Sequence, residues 1–134
     1  MIMTCHHIGI FTEDPQPLVE FYTQGLGFVE GNTQILGPEL TKTIFGIEAE
    51  CRMIKLTRDS AAIELFAPLD FSLDKRTCRT TGYNHWALEV DDKEAYIRIL
   101  EERNVDVIRI DRGSHLIYFV RDPEGNLIEI YEPR

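Results

Sequence analysis

A chain of 134 residues, 43% apolar and 28% charged, suits one compact unit or two tightly joined halves of about 60 residues, and leaves no room for a long disordered segment. Its formal charge of -9 opposes a phosphate backbone, and Lys and Arg nowhere cluster among aromatics, which argues against nucleic acid as a partner. No run of about eighteen apolar residues is present to span a membrane, and the start Met1-Ile2-Met3-Thr4-Cys5-His6-His7 lacks the basic and apolar stretches of a secretion signal, so a soluble cytoplasmic protein is expected.

Cys5, Cys51 and Cys78 are odd in number and far apart, which suits neither a disulfide framework nor a thiolate metal cage. Local basic character survives at Lys42, Arg52, Lys55 and Arg58 and along Lys75, Arg76 and Arg79. These read first as ordinary surface charge, and second as places to receive one small anionic substrate group.

In chain order, residues 5–11 have strand composition and run into Asp14-Pro15, a helix cap followed by Pro at the first helical position. Leu18, Phe21 and Tyr22 make an apolar stripe at helical spacing, and Gly25 is placed to end the helix in a left-handed conformation. Residues 26–30 form the next strand, and a Gly-rich variable stretch covers 31–49. Residues 51–57 and 61–66 then form a strand pair turning at Arg58-Asp59-Ser60.

The plan β-α-β-β-β is then written a second time. Residues 83–90 are its first strand, Asp91 and Asp92 its caps, and Tyr96, Ile99, Leu100 and Arg103 one side of its helix. Strands at 106–110, 115–121 and 126–131 complete it, the last two joined by the turn Asp122-Pro123-Glu124-Gly125. The polar, aperiodic segment 67–82 connects the halves. The organisation is therefore a single α+β domain over 1–134, made of one module at 1–66 and another at 83–134, whose βαβββ units form a cupped, mostly antiparallel sheet.

Aligning the halves sets His7 against His85, and Ile63-Glu64-Leu65-Phe66 against Ile128-Glu129-Ile130-Tyr131. In a strand, period-2 alternation sends branched apolar neighbours to one face and the acid between them to the other, where a polar partner must meet it. Phe11, Phe66 and Tyr131 share the faces of these four residues and line an apolar pocket. Ionised carboxylates there need compensation, which a divalent cation supplies. His7, Glu64, His85 and Glu129 are thus the expected metal ligands, in a set that suits Zn, Ni, Co, Mn or Fe. His6 has the wrong parity to join them. A lone His or Glu in a strand is more often a solvent-facing residue, but four at equivalent places in two repeats point to one centre.

The chain resembles the vicinal-oxygen-chelate superfamily of glyoxalase I, methylmalonyl-CoA epimerase, extradiol dioxygenases, fosfomycin-resistance enzymes and bleomycin-binding proteins. The resemblance rests on His7-Ile8-Gly9-Ile10, Phe21-Tyr22 through Leu26-Gly27-Phe28, Ile63-Glu64-Leu65, Asn84-His85-Trp86-Ala87-Leu88-Glu89-Val90, and Asp122-Pro123-Glu124-Gly125-Asn126-Leu127-Ile128-Glu129. It implies one divalent metal per site, a small-molecule substrate and a homodimer. It also implies a lyase, isomerase or epimerase in which the metal acts as a Lewis acid and Glu64 or Glu129 takes a proton beside a carbonyl. Substrates of that kind are small 2-oxo compounds or acyl thioesters.

Bacterial glyoxalase I has an Arg four residues after the first His and an Asn four after the first Glu to serve glutathione, where this chain has Phe11 and Pro68. Glutathione is therefore not expected as the thiol, since neither residue can hydrogen-bond a peptide carboxylate. The run Glu64-Leu65-Phe66-Ala67-Pro68-Leu69 is similar to methylmalonyl-CoA epimerases instead. Two alternatives stand beside this reading. One is an extradiol-type dioxygenase using His7, His85 and Glu129, with Phe119 where those enzymes usually carry Tyr. The other is a non-catalytic drug-binding protein.

Overall fold

The computed structural model describes residues 1–134, and the strands and helices of the repeat fall within two units. The first unit comprises residues 1–23 and 27–75, the second residues 24–26 and 76–134. The architecture is α+β, with one four-stranded mixed sheet in each unit. No helix is long and apolar enough to cross a membrane.

In the first unit, β1 (Ile8–Phe11), β2 (Val29–Leu36), β3 (Cys51–Arg58) and β4 (Ala61–Pro68) are ordered β1-β4-β3-β2. β1 runs parallel to β4 and the other pairs are antiparallel. α1 (Pro15–Glu20) begins where Asp14 accepts a hydrogen bond from the Gln16 amide, with Pro15 in the first turn. It packs on β4. Leu18, Tyr22, Leu56, Ile63 and Leu65 are fully buried in this core.

Here the structure corrects the expected helix end. After Glu20 the chain widens into a π-helical turn, Phe21–Gly25, and the left-handed residue is Gly27, with φ 84°, not Gly25. The extra width of the π turn delays the reversal. Gly25 is instead closely approached by a neighbour, since a Cβ there would lie 3.0 Å from Val105 Cγ2.

The expected strand at 26–30 and variable stretch at 31–49 are also corrected. β2 runs on to Leu36 through a register shift between Glu30 and Thr33, and α2 (Pro38–Phe45) follows. β2 is an edge strand exposed over most of its length, so burial imposes no alternation on Gly31-Asn32-Thr33-Gln34. The ends of α2 were written in the sequence nonetheless: Pro38 opens it, and Gly46, at φ 73°, caps it in the left-handed region.

The second unit repeats the topology without a counterpart of α2. β5 (His85–Glu89), β6 (Val107–Asp111), β7 (Leu116–Arg121) and β8 (Leu127–Tyr131) are ordered β5-β8-β7-β6, again with the first pair parallel. α3 (Lys93–Glu102) is capped by Asp92, which accepts from the Ala95 amide. It buries Tyr96, Ile97 and Leu100 and leaves Ile99 40% exposed, so Ile97 replaces Ile99 in the expected stripe. Both 93-96-97-100 and 96-99-100-103 have helical i, i+3, i+4, i+7 spacing, and the packing selects the first, which turns Ile97 inward.

Residues 24–26 belong to this second unit through backbone carbonyls. Gly25 O accepts from Arg103 Nη1 at 3.0 Å, and Leu26 O from the Tyr96 hydroxyl at 2.8 Å. On β7, the buried Tyr118 donates its hydroxyl to the Glu94 carboxylate, and burial, followed by that bond, raises it above the ordinary value of 10.0.

Candidate functional site

Parity places the polar side chains. In β4, Ile63 and Leu65 are buried at 0% exposure in the helix-covered core, which turns Glu64 to the opposite face. In β8, Ile128 and Ile130 do the same for Glu129. The parallel neighbour of Glu64 is Gly9, and that of Glu129 is Ala87. Each acid therefore stands beside a residue with little or no side chain, and the histidine two positions earlier leans over the gap.

His7, immediately ahead of β1, brings Nε2 to 3.3 Å from Glu64 Oε2, and His85, at the head of β5, brings Nε2 to 3.4 Å from Glu129 Oε2. Two ligand atoms bound about 2.1 Å from one small cation stand about 3.0 Å apart at a right angle and about 3.4 Å apart at a tetrahedral one. Both pairs have that spacing. The histidine side chains are 41% and 38% exposed against 18% and 24% for the glutamates, so each pair opens to solvent on its imidazole side. His7 and Glu64 lie in the first unit, His85 and Glu129 in the second. No group of three or more His, Cys, Asp or Glu side chains able to hold a metal is gathered in the chain.

The other ring nitrogen of each histidine is engaged by the residue before it. His85 Nδ1 meets the Asn84 side-chain oxygen, and His7 Nδ1 lies 2.8 Å from His6 Nδ1. Because an amide oxygen only accepts, Nδ1 is the donor when His85 bonds Asn84, and a neutral ring held that way would turn its Nε2 lone pair towards Glu129. Two acceptors 3.4 Å apart repel unless a positive charge lies between them. That donor set fits a divalent cation. Sequence reasoning set His6 aside for its parity and did not consider Asn84; the doublets His6-His7 and Asn84-His85, at matching places in the repeat, were the available signal.

Asn84→Ala removes the acceptor for Nδ1–H. His85 is then expected to shift its proton to Nε2 and donate to Glu129, a change of tautomer that imidazole 15N shifts report directly. Retention of the Nδ1–H form in the variant would deny Asn84 this role.

Of the apolar residues expected around the acids, Phe11 and Phe66 stand with ring centroids 6.4 Å apart, and Phe45 of α2 lies 4.9 Å and 5.1 Å from them. Phe45 was not anticipated, because it belongs to the helix hidden in the variable stretch. In the second unit, Phe119 stands edge-on to His85 at 5.4 Å and directly opposite Glu129 in register. Tyr131 is 44% exposed and, with Glu129, Ile117 and His115, borders a cavity of about 330 Å³.

Two four-stranded mixed sheets, each with a His–Glu pair on its open face, define a two-module, glyoxalase-like protein. Residues 4–130 match the Glyoxalase/Bleomycin resistance protein/Dioxygenase superfamily, and the chain belongs to that family. Among solved structures, it is similar to a glyoxalase/bleomycin resistance protein/dioxygenase domain from Frankia sp. EAN1pec, at 15% identity and TM-score 0.78, covering 100% of this chain and 94% of that one. A glyoxalase family protein from Enterococcus faecalis is 23% identical with TM-score 0.69, and 95% of each chain is covered. The trypanothione-dependent glyoxalase I of Leishmania major is 20% identical with TM-score 0.68, covering 98% of this chain and 87% of that one. These likenesses establish the fold. Direct comparison with curated proteins gives no match.

Proposed function

We propose that this protein is a metal-dependent lyase, isomerase or epimerase that moves a proton between adjacent carbons of a small 2-oxo compound or acyl thioester. His7, Glu64, His85 and Glu129 would hold one divalent cation, from the set Zn, Ni, Co, Mn and Fe. The observation that carries this reading is the duplicated donor pair, a His Nε2 at 3.3 and 3.4 Å from a Glu Oε2 in register-equivalent positions of two modules. A homodimer is the proposed assembly. Whether one chain or two supplies a complete quartet, the same four residues and one cation per chain are required.

When bound, the cation supplies Lewis-acid stabilisation of the negative charge that develops on the substrate carbonyl oxygen. The chain's own residues do the rest. One glutamate accepts the proton from the carbon beside the carbonyl and returns it to the neighbouring carbon, within the hydrogen-bonding reach that general-base catalysis needs. Asn84 and His6 orient the imidazoles through their far nitrogens. Phe11, Phe45 and Phe66 offer an apolar wall that limits water near the exchanging proton.

The test is titration of chelator-treated protein with Co(II) or Ni(II), followed by NMR detection of solvent deuterium entering hemithioacetals or methylmalonyl-CoA. One metal per chain and metal-dependent exchange beside the carbonyl are expected. Oxygen uptake with catechols, in place of exchange, would transfer the protein to the dioxygenases. Tight binding of an aromatic drug without metal uptake would make it a sequestering module.

A further inference from the structure

The row of side chains that crosses the first sheet through Glu64 carries a positive charge that the row through Glu129 lacks. In the first unit, Gly9 and Lys55 flank Glu64 in register, and Gly31 stands beyond Lys55, where an added Cβ would come 3.3 Å from Lys55 O and 4.0 Å from its Cβ. In the second unit, the corresponding row is Ala87, Glu129, Phe119 and Ile108. The repeat therefore puts a lysine in one half where it puts a phenylalanine in the other.

Directly opposed residues of an antiparallel pair project to the same face, with Cβ atoms about 5 Å apart. Lys55 thus stands beside Glu64 on the His7 face, only partly exposed and bordered by bare glycines at both ends of the row. It takes part in none of the chain's ion pairs, and the Glu64 carboxylate is turned to His7 at 3.3 Å. A partly exposed ammonium on a flexible stem keeps its charge at little cost, and a neighbouring acid committed to a cation no longer neutralises it. An anion arriving with the substrate would.

We infer that Lys55 is the substrate-charge recognition residue of this site, and that the substrate carries a carboxylate a few bonds from its metal-facing oxygens. This rests on the metal reading above and narrows it to anionic 2-oxo acids and acyl compounds with a free carboxylate. Lys55 recognises as a mobile point charge, a form of recognition that tolerates several substrate lengths.

Two chelators with the same head separate this charge effect from metal binding: acetohydroxamate, and succinomonohydroxamate, which adds a carboxylate on a two-carbon arm. Their affinities are read from the visible absorption of the cobalt-loaded protein. The wild type is expected to prefer the carboxylated chelator by about ten- to a hundredfold, the range of a charge-assisted hydrogen bond. Lys55→Met should abolish the preference while binding acetohydroxamate as before, and Lys55→Arg should restore most of it. Equal affinities in the wild type, or equal losses for both chelators in Lys55→Met, would overturn the assignment while leaving the metal reading intact. Failure of the wild type to take up cobalt would overturn both.

Discussion

Glu64→Gln and Glu129→Gln are each expected to reduce metal-dependent proton exchange by about a thousandfold, the midrange for removal of a general base. Glutamine fills the same volume between Ile63 and Leu65, or between Ile128 and Ile130, so the core beneath is undisturbed. What it lacks is the charge to hold a cation and the basicity to take a proton. The two variants also divide the labour of the acids. The one that keeps its metal but loses exchange marks the base. The one that loses its metal, and recovers as metal is raised, marks a ligand. Full exchange in both would remove the glutamates from the mechanism.

Asp122→Ala is expected to destabilise the fold by about 3 kcal/mol, a loss of roughly 10 °C in Tm for a domain of this size. The residue is only 4% exposed, and Oδ1 accepts from the amides of Glu124 at 3.0 Å and Asn126 at 2.9 Å, while Oδ2 accepts from Asn126 Nδ2 at 2.8 Å. Truncation leaves those donors without their acceptor in a partly buried turn, in which Gly125 holds φ 85°. Asn retains one accepting oxygen, so Asp122→Asn should recover part of the loss. Urea unfolding measures the difference; a change below about 1 kcal/mol would show that Pro123 and Gly125 alone maintain the hairpin. The turn leads into β8, whose first residue lies two positions before Glu129, so the same variant should also weaken His85–Glu129 alignment.

Legibility tracked burial. β3, β4, β7 and β8 each have one face in a core, so Ile63/Leu65 and Ile128/Ile130 wrote their alternation into the sequence, and with it the outward direction of Glu64 and Glu129. β2 is an open edge and left no alternation to find, while α2 is only eight residues long, buries only Thr41 and lies in a stretch read as variable loop. Phe45 went unseen with α2. The role of Lys55 depends on which residue of β3 faces Glu64, and that register is set by the tight turn at Asp59-Ser60, where Asp59 takes φ 49°. Residue-by-residue alternation carries none of that. Asn84 acts on its chain neighbour from just ahead of β5, a direction that parity arguments do not consider.

The hydrogen bonds to Gly25 and Leu26 bear on how the molecule matures. Because Tyr96 and Arg103 use acceptors that precede most of the first sheet in the chain, the C-terminal module is not an autonomous folding piece. A cut in the connection between the two sheets would therefore separate Gln24–Leu26 from the rest of the unit they complete.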